Sequence, residues 1–376
     1  MTVTMVGTRT VLLAFGAALL LAGCQEDATP RPIHLDKGVY RGAALPAAAQ
    51  SSVRVGGPVD QQANSQQFER EAPPVPTQVP GKSVAEGWHG IRLGEQGTVS
   101  IPNKQAGVLI QSEGEAWRAV RNGPLSQYGT WVLAGIMALL VLFFLVRGRI
   151  RIDGRKTGRT IQRFNAFERG VHWLTAGSFV VLAISGLNVL YGRYTLLPLI
   201  GPEPFAAFTH YGKLAHNFLG FAFIVGVALI FVMWARHNIP SRHDLTWFLK
   251  AGGLFSKGVH PPAHKFNGGQ KVIFWSTVVG GAALGFTGVQ LIFPFSFATL
   301  EELQLYQLLH AAIAIIMIAI ILAHIYIGSV GMEGAFAAMG DGQVELQWAR
   351  EHHSLWVEEV TGEKVSHGHH HGTPAE

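Results

Sequence analysis

The chain has very little cysteine. Its only cysteine among 376 residues is Cys24. A disulfide framework, a cysteine-based zinc site, an iron–sulfur cluster and a haem attached through a C-x-x-C-H motif each require at least two cysteines. Any metal or redox centre that this chain holds by itself must therefore use histidine or carboxylate ligands.

Charge is also scarce. Charged residues make up 14% of the chain and hydrophobic residues 48%, whereas a soluble globular domain carries about 25% charged residues. The surface is therefore not expected to lie mostly in water. The formal net charge of +5 is small for this length and is concentrated in a few loops, so we expect no nucleic-acid partner.

The N-terminal region predicts export. Residues 1–24 resemble a signal peptide, because Arg9 precedes an apolar run over residues 11–23 that is too short to span a bilayer. This run ends in Leu-Ala-Gly-Cys, which resembles a bacterial lipobox with Cys24 as the lipid-accepting residue. An ordinary signal peptide or an uncleaved anchor is the alternative. Residues 25–82 are rich in Pro, Ala, Gln and Ser without periodicity, which indicates a mostly disordered periplasmic linker.

Residues 83–124 form a small periplasmic segment in this interpretation. It contains two short β-like runs, "GTVSIP" and "AGVLIQS", which are bounded by glycine and by Pro-Asn. A segment of this size is too small for a strong core of its own. We therefore expect it to dock on another part of the assembly.

Five long apolar stretches follow, and each is near or above the roughly 20 residues that cross a bilayer core. They cover residues 125–146, 173–192, 214–235, 272–300 and 303–332. The expected fold class is an all-α membrane protein. The stretches are followed by a C-terminal tail over residues 334–376.

The basic residues predict the orientation of these helices. The loop between the first two stretches and the loop between the third and fourth hold most of them: Arg147, Arg149, Arg151, Arg155, Lys156, Arg159, Arg163 and Arg169, then Arg236, Arg242, Lys250, Lys257, Lys265 and Lys271. The other two connections are poor in basic residues. Cytoplasmic loops carry an excess of Lys and Arg, so we expect a bacterial inner-membrane protein with a periplasmic N-terminal region and a cytoplasmic C-terminus.

Four histidines lie within or at the mouths of the apolar stretches: His172, His216, His310 and His324. An ionisable residue in a membrane span is costly and is by default a functional candidate. For each residue taken alone, a helix-end histidine bonded to a neighbouring carbonyl is the alternative.

The positions of the four histidines suggest two pairs. His310 and His324 are fourteen residues apart on one helix, about 40° short of four full turns, so they share a face and differ in depth by about 21 Å. By depth, His216 pairs with His310 near the outer leaflet, and His172 pairs with His324 near the inner leaflet. Two stacked bis-histidine sites match the needs of two b-type haems, whereas a zinc ion requires all its ligands at one depth.

Glycines fit this interpretation without deciding it. Gly186 follows His172 by fourteen residues, Gly220 follows His216 by one turn, and Gly288 interrupts the fourth stretch. Small residues allow a flat macrocycle to approach a helix backbone. They also let membrane helices pack closely against each other, and both interpretations stay open.

Several motifs also resemble a known family. They are "RFNAFERGVHWLTAGSFVVLAISG", "GKLAHNFLGFAF", "RHNIPSRHDLTWFLK", "KFNGGQKVIFW", "LLHAAIAIIMIAIILAHIYIG" and "WAREHHSLWVEEV". In this order and spacing they resemble the gamma subunit of respiratory formate dehydrogenase, the cytochrome b membrane anchor. The stretch "QSEGEAWRAVRNGP" before the first span resembles the extended bacterial form of this subunit. The resemblance covers about residues 163–360. Because the short form of this family has four spans, the resemblance implies a four-helix haem-binding transmembrane bundle over residues 163–333 and one additional transmembrane helix over residues 125–147.

The resemblance implies two haems b, with His216 and His310 as ligands on the periplasmic side and His172 and His324 on the cytoplasmic side. It also implies a quinone site in the loop "KFNGGQK", with Asn267 as a polar contact, Gly269 as a backbone contact and Gln270 adjacent. Read from the residues alone, Asn-Gly-Gly is first a turn before a helix, with Asn267 as its cap.

The implied partners are an iron–sulfur beta subunit, a catalytic alpha subunit with molybdenum or tungsten, membrane lipid and the quinone pool. Formate oxidation itself belongs to these partner subunits, so we assign no catalytic residue to this chain. The cytochrome b of a membrane hydrogenase or of another molybdenum oxidoreductase is the alternative within the class. Outside the class, a histidine-dependent metal transporter predicts carboxylates near the bilayer midplane, which the spans lack, and a lipoprotein tether leaves the four histidines unexplained.

Overall fold

A computed structural model describes residue 86 and residues 97–98, 108–110 and 113–365. The predicted signal peptide with Cys24 and the predicted linker over residues 25–82 lie outside the described residues. Within them, five helices are long and apolar enough to cross a membrane. We name them the first to the fifth span: Ala116–Arg147, Ala166–Thr195, Pro202–Asn238, Gly268–Ile292 and Leu300–Gly331.

Shorter elements surround these spans. The strands are Gly97–Thr98, Val108–Ile110, Thr160–Gln162 and Gln343–Glu345. The long helical elements include a helical lead-in over Glu113–Val120, a π-helical turn over Arg121–Leu125, a 3-10 turn over Ala235–Asn238 and a π-helical turn over Ile327–Gly331. The remaining helices are Leu197–Ile200, Arg242–Leu249, Ala251–Gly253 (3-10), Ala337–Gly340, Leu346–His352 and Ser354–Thr361.

Local sequence explains where three of the spans begin. Asn165, Asn267 and Thr299 are the N-caps of the second, fourth and fifth spans, and each forms a reciprocal capping box with the residue three positions later. A capping box satisfies two backbone N–H groups that would otherwise have no partner at the start of the helix. The third span begins instead with Pro202, whose fixed φ suits the first helical position.

The spans agree with the apolar stretches in number and differ from them at some ends. The fourth helix stops at Ile292, so the rest of the predicted stretch, up to Thr299, forms a turn before the fifth span. The helical region of the first span begins before residue 125, because Glu113–Val120 and the π-helical turn lead directly into it. Many apolar side chains on the spans face outward, such as Leu145 and Val146, as expected for helices that contact lipid.

The best-packed core lies at the end of the bundle where the second and fourth spans begin. Its buried residues are Phe164, Val171, Ile230, Trp234, Phe266, Phe274, Ala338, Val344, Leu346, Trp348, Ala349, Trp356 and Val357. Here strand Thr160–Gln162 pairs antiparallel with Gln343–Glu345. The segment that we predicted as a tail is therefore folded through Thr361 and covers this end, which we call the basic end because both arginine- and lysine-rich loops are there.

Candidate functional site: two histidine pairs

The structure brings His216 and His310 together. His216 is on the third span and His310 on the fifth, and their ring centroids are 6.1 Å apart. Neither ring touches the described carboxylates closely enough to form an ion pair. The pair lies toward the N-terminal ends of these two helices, away from the basic end.

Two hydroxyl groups determine the tautomers of this pair. The Nδ1 atom of His216 is 2.8 Å from Ser185 Oγ, and that of His310 is 2.9 Å from Thr287 Oγ1. Each hydroxyl donates its single hydrogen to a carbonyl on its own helix, Ser185 to Val181 O (2.7 Å) and Thr287 to Ala283 O (2.8 Å). With its hydrogen used in this way, the hydroxyl oxygen accepts a hydrogen bond from the Nδ1–H group of the histidine. This leaves the Nε2 lone pair of both rings free to ligate a metal.

Glycines lie directly beside the same pair. A Cβ atom built on Gly186 would be 3.5 Å from His216 Cε1, and one on Gly288 would be 3.5 Å from His310 Cε1. A Cβ on Gly220, one turn after His216, would meet nothing within 4 Å. The backbone around this pair is thus free of side chains where a flat group would need to approach.

His172 and His324 form the second pair, at the basic end. His172 is on the second span and His324 on the fifth, with ring centroids 6.3 Å apart. The Nδ1 atom of His172 is buried and has no hydrogen-bond partner among the described residues. Packing surrounds this pair instead, since the His172 ring lies edge-on to Trp173 at 5.2 Å.

The geometry of both pairs fits one ligated metal ion each. Two imidazoles that bind an ion from opposite sides, each about 2 Å from it, have ring centres about 6 Å apart, close to the separations in both pairs. Among the described residues no group of three or more His, Cys, Asp or Glu converges on one point. The donor set is therefore two histidines per site, as for a bis-histidine haem.

The predicted quinone residues lie at the start of the fourth span. Asn267 Oδ1 accepts from the backbone N of Gln270 (3.0 Å), and Gln270 Oε1 accepts from the backbone N of Asn267 (3.1 Å). The cap interpretation of Asn267 is therefore confirmed. The amide nitrogens of both side chains, Asn267 Nδ2 and Gln270 Nε2, form no hydrogen bond with any described residue, so two donors remain free.

A buried arginine supports this capping box. Arg163 donates to Gln270 Oε1 (3.2 Å) and to Lys265 O (2.8 Å). Its guanidinium lies 5.3 Å from the ring centroids of Phe164 and Trp348, an attractive cation–π geometry. Burial lowers the pKa of Arg163 to about 9, so the side chain is still a cation at neutral pH.

Gly269 has a steric role. A Cβ built on Gly269 would be 2.7 Å from Cη2 of Trp247, and one on Gly268 would be 3.0 Å from Cε3 of the same indole. The absence of side chains therefore lets the indole of Trp247 lie against the first turn of the fourth span. Trp247 lies within the motif "RHNIPSRHDLTWFLK", but nothing local in that motif predicts its position over Gly269.

His210 stays apart from both pairs. Its ring packs edge-on to Tyr211 at 5.3 Å, and its side chain is exposed. Its six-residue separation from His216 on the same helix rotates the two rings about 120° apart. Of the histidines in the third span before residue 220, only His216 thus has a histidine partner.

Comparison with known proteins assigns the class. The family model for prokaryotic cytochrome b561 matches residues 163–342, a range that begins just before the second span and includes all four paired histidines. With its five apolar helices, the chain is a multi-pass membrane protein and a cytochrome b subunit. A cytochrome b family implies haem b as the prosthetic group.

Individual relatives identify a narrower family than the family model does. The cytochrome b556(Fdn) subunit of the nitrate-inducible formate dehydrogenase of Escherichia coli K12 is 31% identical over 207 residues, which are 54% of this chain and 92% of the relative. The cytochrome b556(fdo) subunit of the same strain is 30% identical over 54% of this chain and 93% of its own length. The corresponding Haemophilus influenzae subunit is 26% identical over 52% and 81%. The chain belongs to the family of formate dehydrogenase cytochrome b556 subunits.

Proposed function

We propose that this chain carries electrons from a periplasmic iron–sulfur subunit to quinone at the cytoplasmic side of a formate dehydrogenase complex, and anchors that complex. The observation that carries the proposal is the presence of two histidine pairs on different helices, each with ring centroids about 6 Å apart. A bound haem b at each pair supplies one-electron transfer. The protein contributes ligands, spacing and surroundings.

The four histidines are the proposed axial ligands, in the pairs His216–His310 and His172–His324. The hydroxyls of Ser185 and Thr287 hold the first pair in the tautomer that presents Nε2 to the metal. Such partners of ligating histidines fix ring orientation and raise ligand basicity. The spacing of His310 and His324 along one helix separates the two sites by about 21 Å in height.

Orientation and partners belong to the same proposal. The basic end faces the cytoplasm in this proposal, because Lys and Arg accumulate on that side of bacterial membrane proteins. The His216–His310 pair then lies toward the periplasm, next to an iron–sulfur beta subunit that receives electrons from a molybdenum- or tungsten-containing alpha subunit. All three relatives described above are named as formate dehydrogenase subunits, which favours formate over hydrogen as the electron source.

The quinone site is proposed at the start of the fourth span. A quinone oxygen accepts hydrogen bonds, and Asn267 Nδ2 and Gln270 Nε2 are donors without a partner among the described residues. The capping box orients these donors, because it engages the oxygen of each amide. Arg163 adds a buried positive charge next to Gln270, which favours the developing negative charge of a quinone as it is reduced. Gly269 leaves room for the indole of Trp247. A quinone that contacts Gly269 would therefore also lie next to this ring.

The haem proposal is tested by a reduced-minus-oxidised optical spectrum of the purified full chain with haem quantified by extraction. We expect two haems b per chain in the native protein and one in a His310→Ala variant. His210→Ala is the matched control, since it removes a histidine from the same half of the bundle, and it should keep both haems. No haem, or two haems in His310→Ala, would refute the assignment.

The quinone site is tested with Asn267→Asp. Aspartate keeps an oxygen at the position that caps the helix but lacks the amide N–H donor. In the intact complex we expect quinone reduction to slow about tenfold, the effect of one lost hydrogen bond, while formate still reduces both haems at the native rate. Asn165→Asp makes the same change in the capping box of the second span and should leave quinone reduction unchanged. Equal slowing in both variants, or slower haem reduction, would contradict the proposed site.

A further inference from the structure

A basic cavity lies at the basic end, and none of the four paired histidines lines it. It has a volume of about 440 Å³ and lies between residues 148–153, which follow the first span and which we call the strip, and the loop that precedes the fourth span. The Lys and Arg side chains that line it are Arg147 at the end of the first span, Arg149 and Arg151 from the strip, and Lys257 from the loop. The strip precedes residue 163, where the match to the cytochrome b561 family model begins.

Glu333, which is not part of the lining, pairs with Lys156 and also acts electrostatically on Arg149, so the described part of the chain neutralises only part of the positive charge of this cavity. Its only lining carboxylate is Asp153, which already accepts from the backbone N of Gly258 (2.8 Å) and pairs with His260 Nε2 (3.3 Å). None of the four basic side chains has a carboxylate oxygen within ion-pair distance among residues 113–365. Arg147 uses its Nε to donate to Leu254 O (2.8 Å), which leaves its two terminal nitrogens without a described partner.

The walls of the cavity are held in place by the backbone. Ile150 pairs with Met332 in a parallel bridge, with Ile150 N donating to Gly331 O and Glu333 N donating to Ile150 O, both at 2.8 Å. Ile150 is buried, and the arginines before and after it both line the cavity. The strip is therefore anchored to the end of the fifth span, and the basic side chains converge before any ligand binds.

The surface next to the cavity is apolar where it adjoins the spans. Arg147 is the last residue of the first span, and the two residues before it, Leu145 and Val146, are 75% and 80% exposed. Phe255 in the opposite loop is also exposed and packs edge-on to Phe143 of the first span at 5.6 Å. A cluster of cations at the end of a transmembrane helix thus borders directly on surface that faces acyl chains.

We propose that this cavity binds the phosphate headgroup of an anionic phospholipid, with its acyl chains against Leu145, Val146 and Phe255. Basic pockets between transmembrane helices attract anionic headgroups, and Arg in particular matches phosphate oxygens. A soluble phosphate compound would satisfy the cations but would leave the adjoining apolar surface unused. The first span, in this proposal, is fastened to the bundle partly through a bound lipid.

The test is native mass spectrometry of the delipidated full chain in detergent, titrated with phosphatidylglycerol and with phosphatidylcholine of the same acyl chains. We expect phosphatidylglycerol to bind about tenfold more tightly or better. Each cation near an anionic lipid contributes enough for about a fivefold effect, so Arg149→Gln/Arg151→Gln should weaken binding about 30-fold and Lys257→Gln about fivefold. The haem content of each variant, compared with the native chain, verifies that it is folded.

The control is Arg155→Gln/Arg159→Gln, which removes the same charge from the same loop outside the cavity and should leave the affinity unchanged. Equal affinity for both lipids would overturn the proposal, as would equal weakening by the two double variants. Displacement of phosphatidylglycerol by inorganic phosphate in large excess would assign the cavity to a soluble anion. Tighter binding of an acidic peptide than of the lipid would assign it to a protein partner.

Discussion

The two histidine pairs have nearly the same distance between ring centroids, but different interactions hold their rings in place. In the His216–His310 pair, each Nδ1 is bonded to a hydroxyl that is itself bonded to a helix carbonyl. In the His172–His324 pair, no hydroxyl among the described residues performs this role, and His172 Nδ1 is buried without a hydrogen-bond partner there. The first pair is oriented by hydrogen bonds within the spans, whereas the second is enclosed by packing at the basic end.

This difference indicates how each site would respond to perturbation. A hydrogen-bonded imidazole keeps its tautomer and orientation even where its neighbours loosen. An imidazole held by packing depends on the integrity of its surroundings, which here include Trp173 and, through it, Phe336 and Met339 at the start of the folded C-terminal segment. We therefore expect local substitutions to affect the first pair and distant changes in the C-terminal segment to affect the second.

The largest effect is expected from removing a ligand of each pair. His216→Ala should abolish haem binding at the first pair, and His324→Ala should abolish it at the second, because a bis-histidine site loses one of its two axial ligands. Each variant should retain the other haem, which extraction and low-temperature spectra measure. Loss of both haems in either variant would show that the two sites do not act independently.

The hydroxyl partners are expected to give the next largest effect, at the first pair alone. Ser185→Ala and Thr287→Val should each weaken haem binding there about 10- to 100-fold, the usual cost of removing the partner of a ligating histidine. Transfer of haem to an excess of a haem-scavenging globin measures this for each site. Ser178→Ala, a buried serine on the same helix as Ser185, is the matched control and should behave like the native chain. Faster haem loss from the second pair would contradict the division between them.

The sequence predicted much of this site because depth can be counted along a helix. The five spans and the two histidine pairs followed from apolar length and from the fourteen-residue spacing of His310 and His324. The hydroxyls were missed, although a signal was present: Ser185 and Thr287 directly precede Gly186 and Gly288. A hydroxyl followed by glycine thus occurs on two helices beside the same pair.

The folded C-terminal segment was beyond sequence reasoning for a physical reason. Its strand Gln343–Glu345 is only three residues long and pairs with Thr160–Gln162, far away in the sequence. Its last two helices, Leu346–His352 and Ser354–Thr361, have seven and eight residues, too few to show a reliable period. Only tertiary contacts with residues such as Phe164 and Trp234 stabilise them, and these contacts leave no local pattern. The same holds for the placement of Trp247 over Gly269.

Acidic pH is expected to destabilise the folded C-terminal segment more than the region around the His216–His310 pair. Burial, together with the nearby His260 and Arg163, lowers the pKa of His352 to about 3, against an opposing influence of Asp153. Burial and the charge of Arg163 also hold the pKa of His353 well below its usual range. Both residues are neutral in the folded segment, whereas unfolded histidine takes up a proton below a pH of about 6.5. The unfolded state then binds more protons, so stability falls as the pH decreases from about 6.5 toward 3.

The size of this effect is about 1.4 kcal/mol per histidine for each pH unit in that window. Hydrogen exchange of residues 346–361 should accelerate between pH 7.5 and 5.5, after correction for the intrinsic rate, while amides around Ser185 and Thr287 stay protected. His353→Gln should reduce this pH dependence, since glutamine does not titrate. Equal acceleration in both regions would mean that the histidines of the C-terminal segment are not its cause.

The smallest expected effect tests a single link between the second pair and the C-terminal segment. Trp173 Nε1 donates to Met339 O at 2.8 Å, and the Trp173 ring contacts the His172 ring. Trp173→Phe keeps an aromatic ring and removes the donor, so we expect the chain to lose about 1 kcal/mol of stability and the absorbance of the haem at the second pair to shift. Trp131→Phe, at an exposed position of the first span, should change neither the thermal unfolding midpoint in detergent nor either haem spectrum. A shift at the first pair in Trp173→Phe would show that packing at the basic end reaches across the membrane, and the two pairs would then have to be treated as one coupled unit.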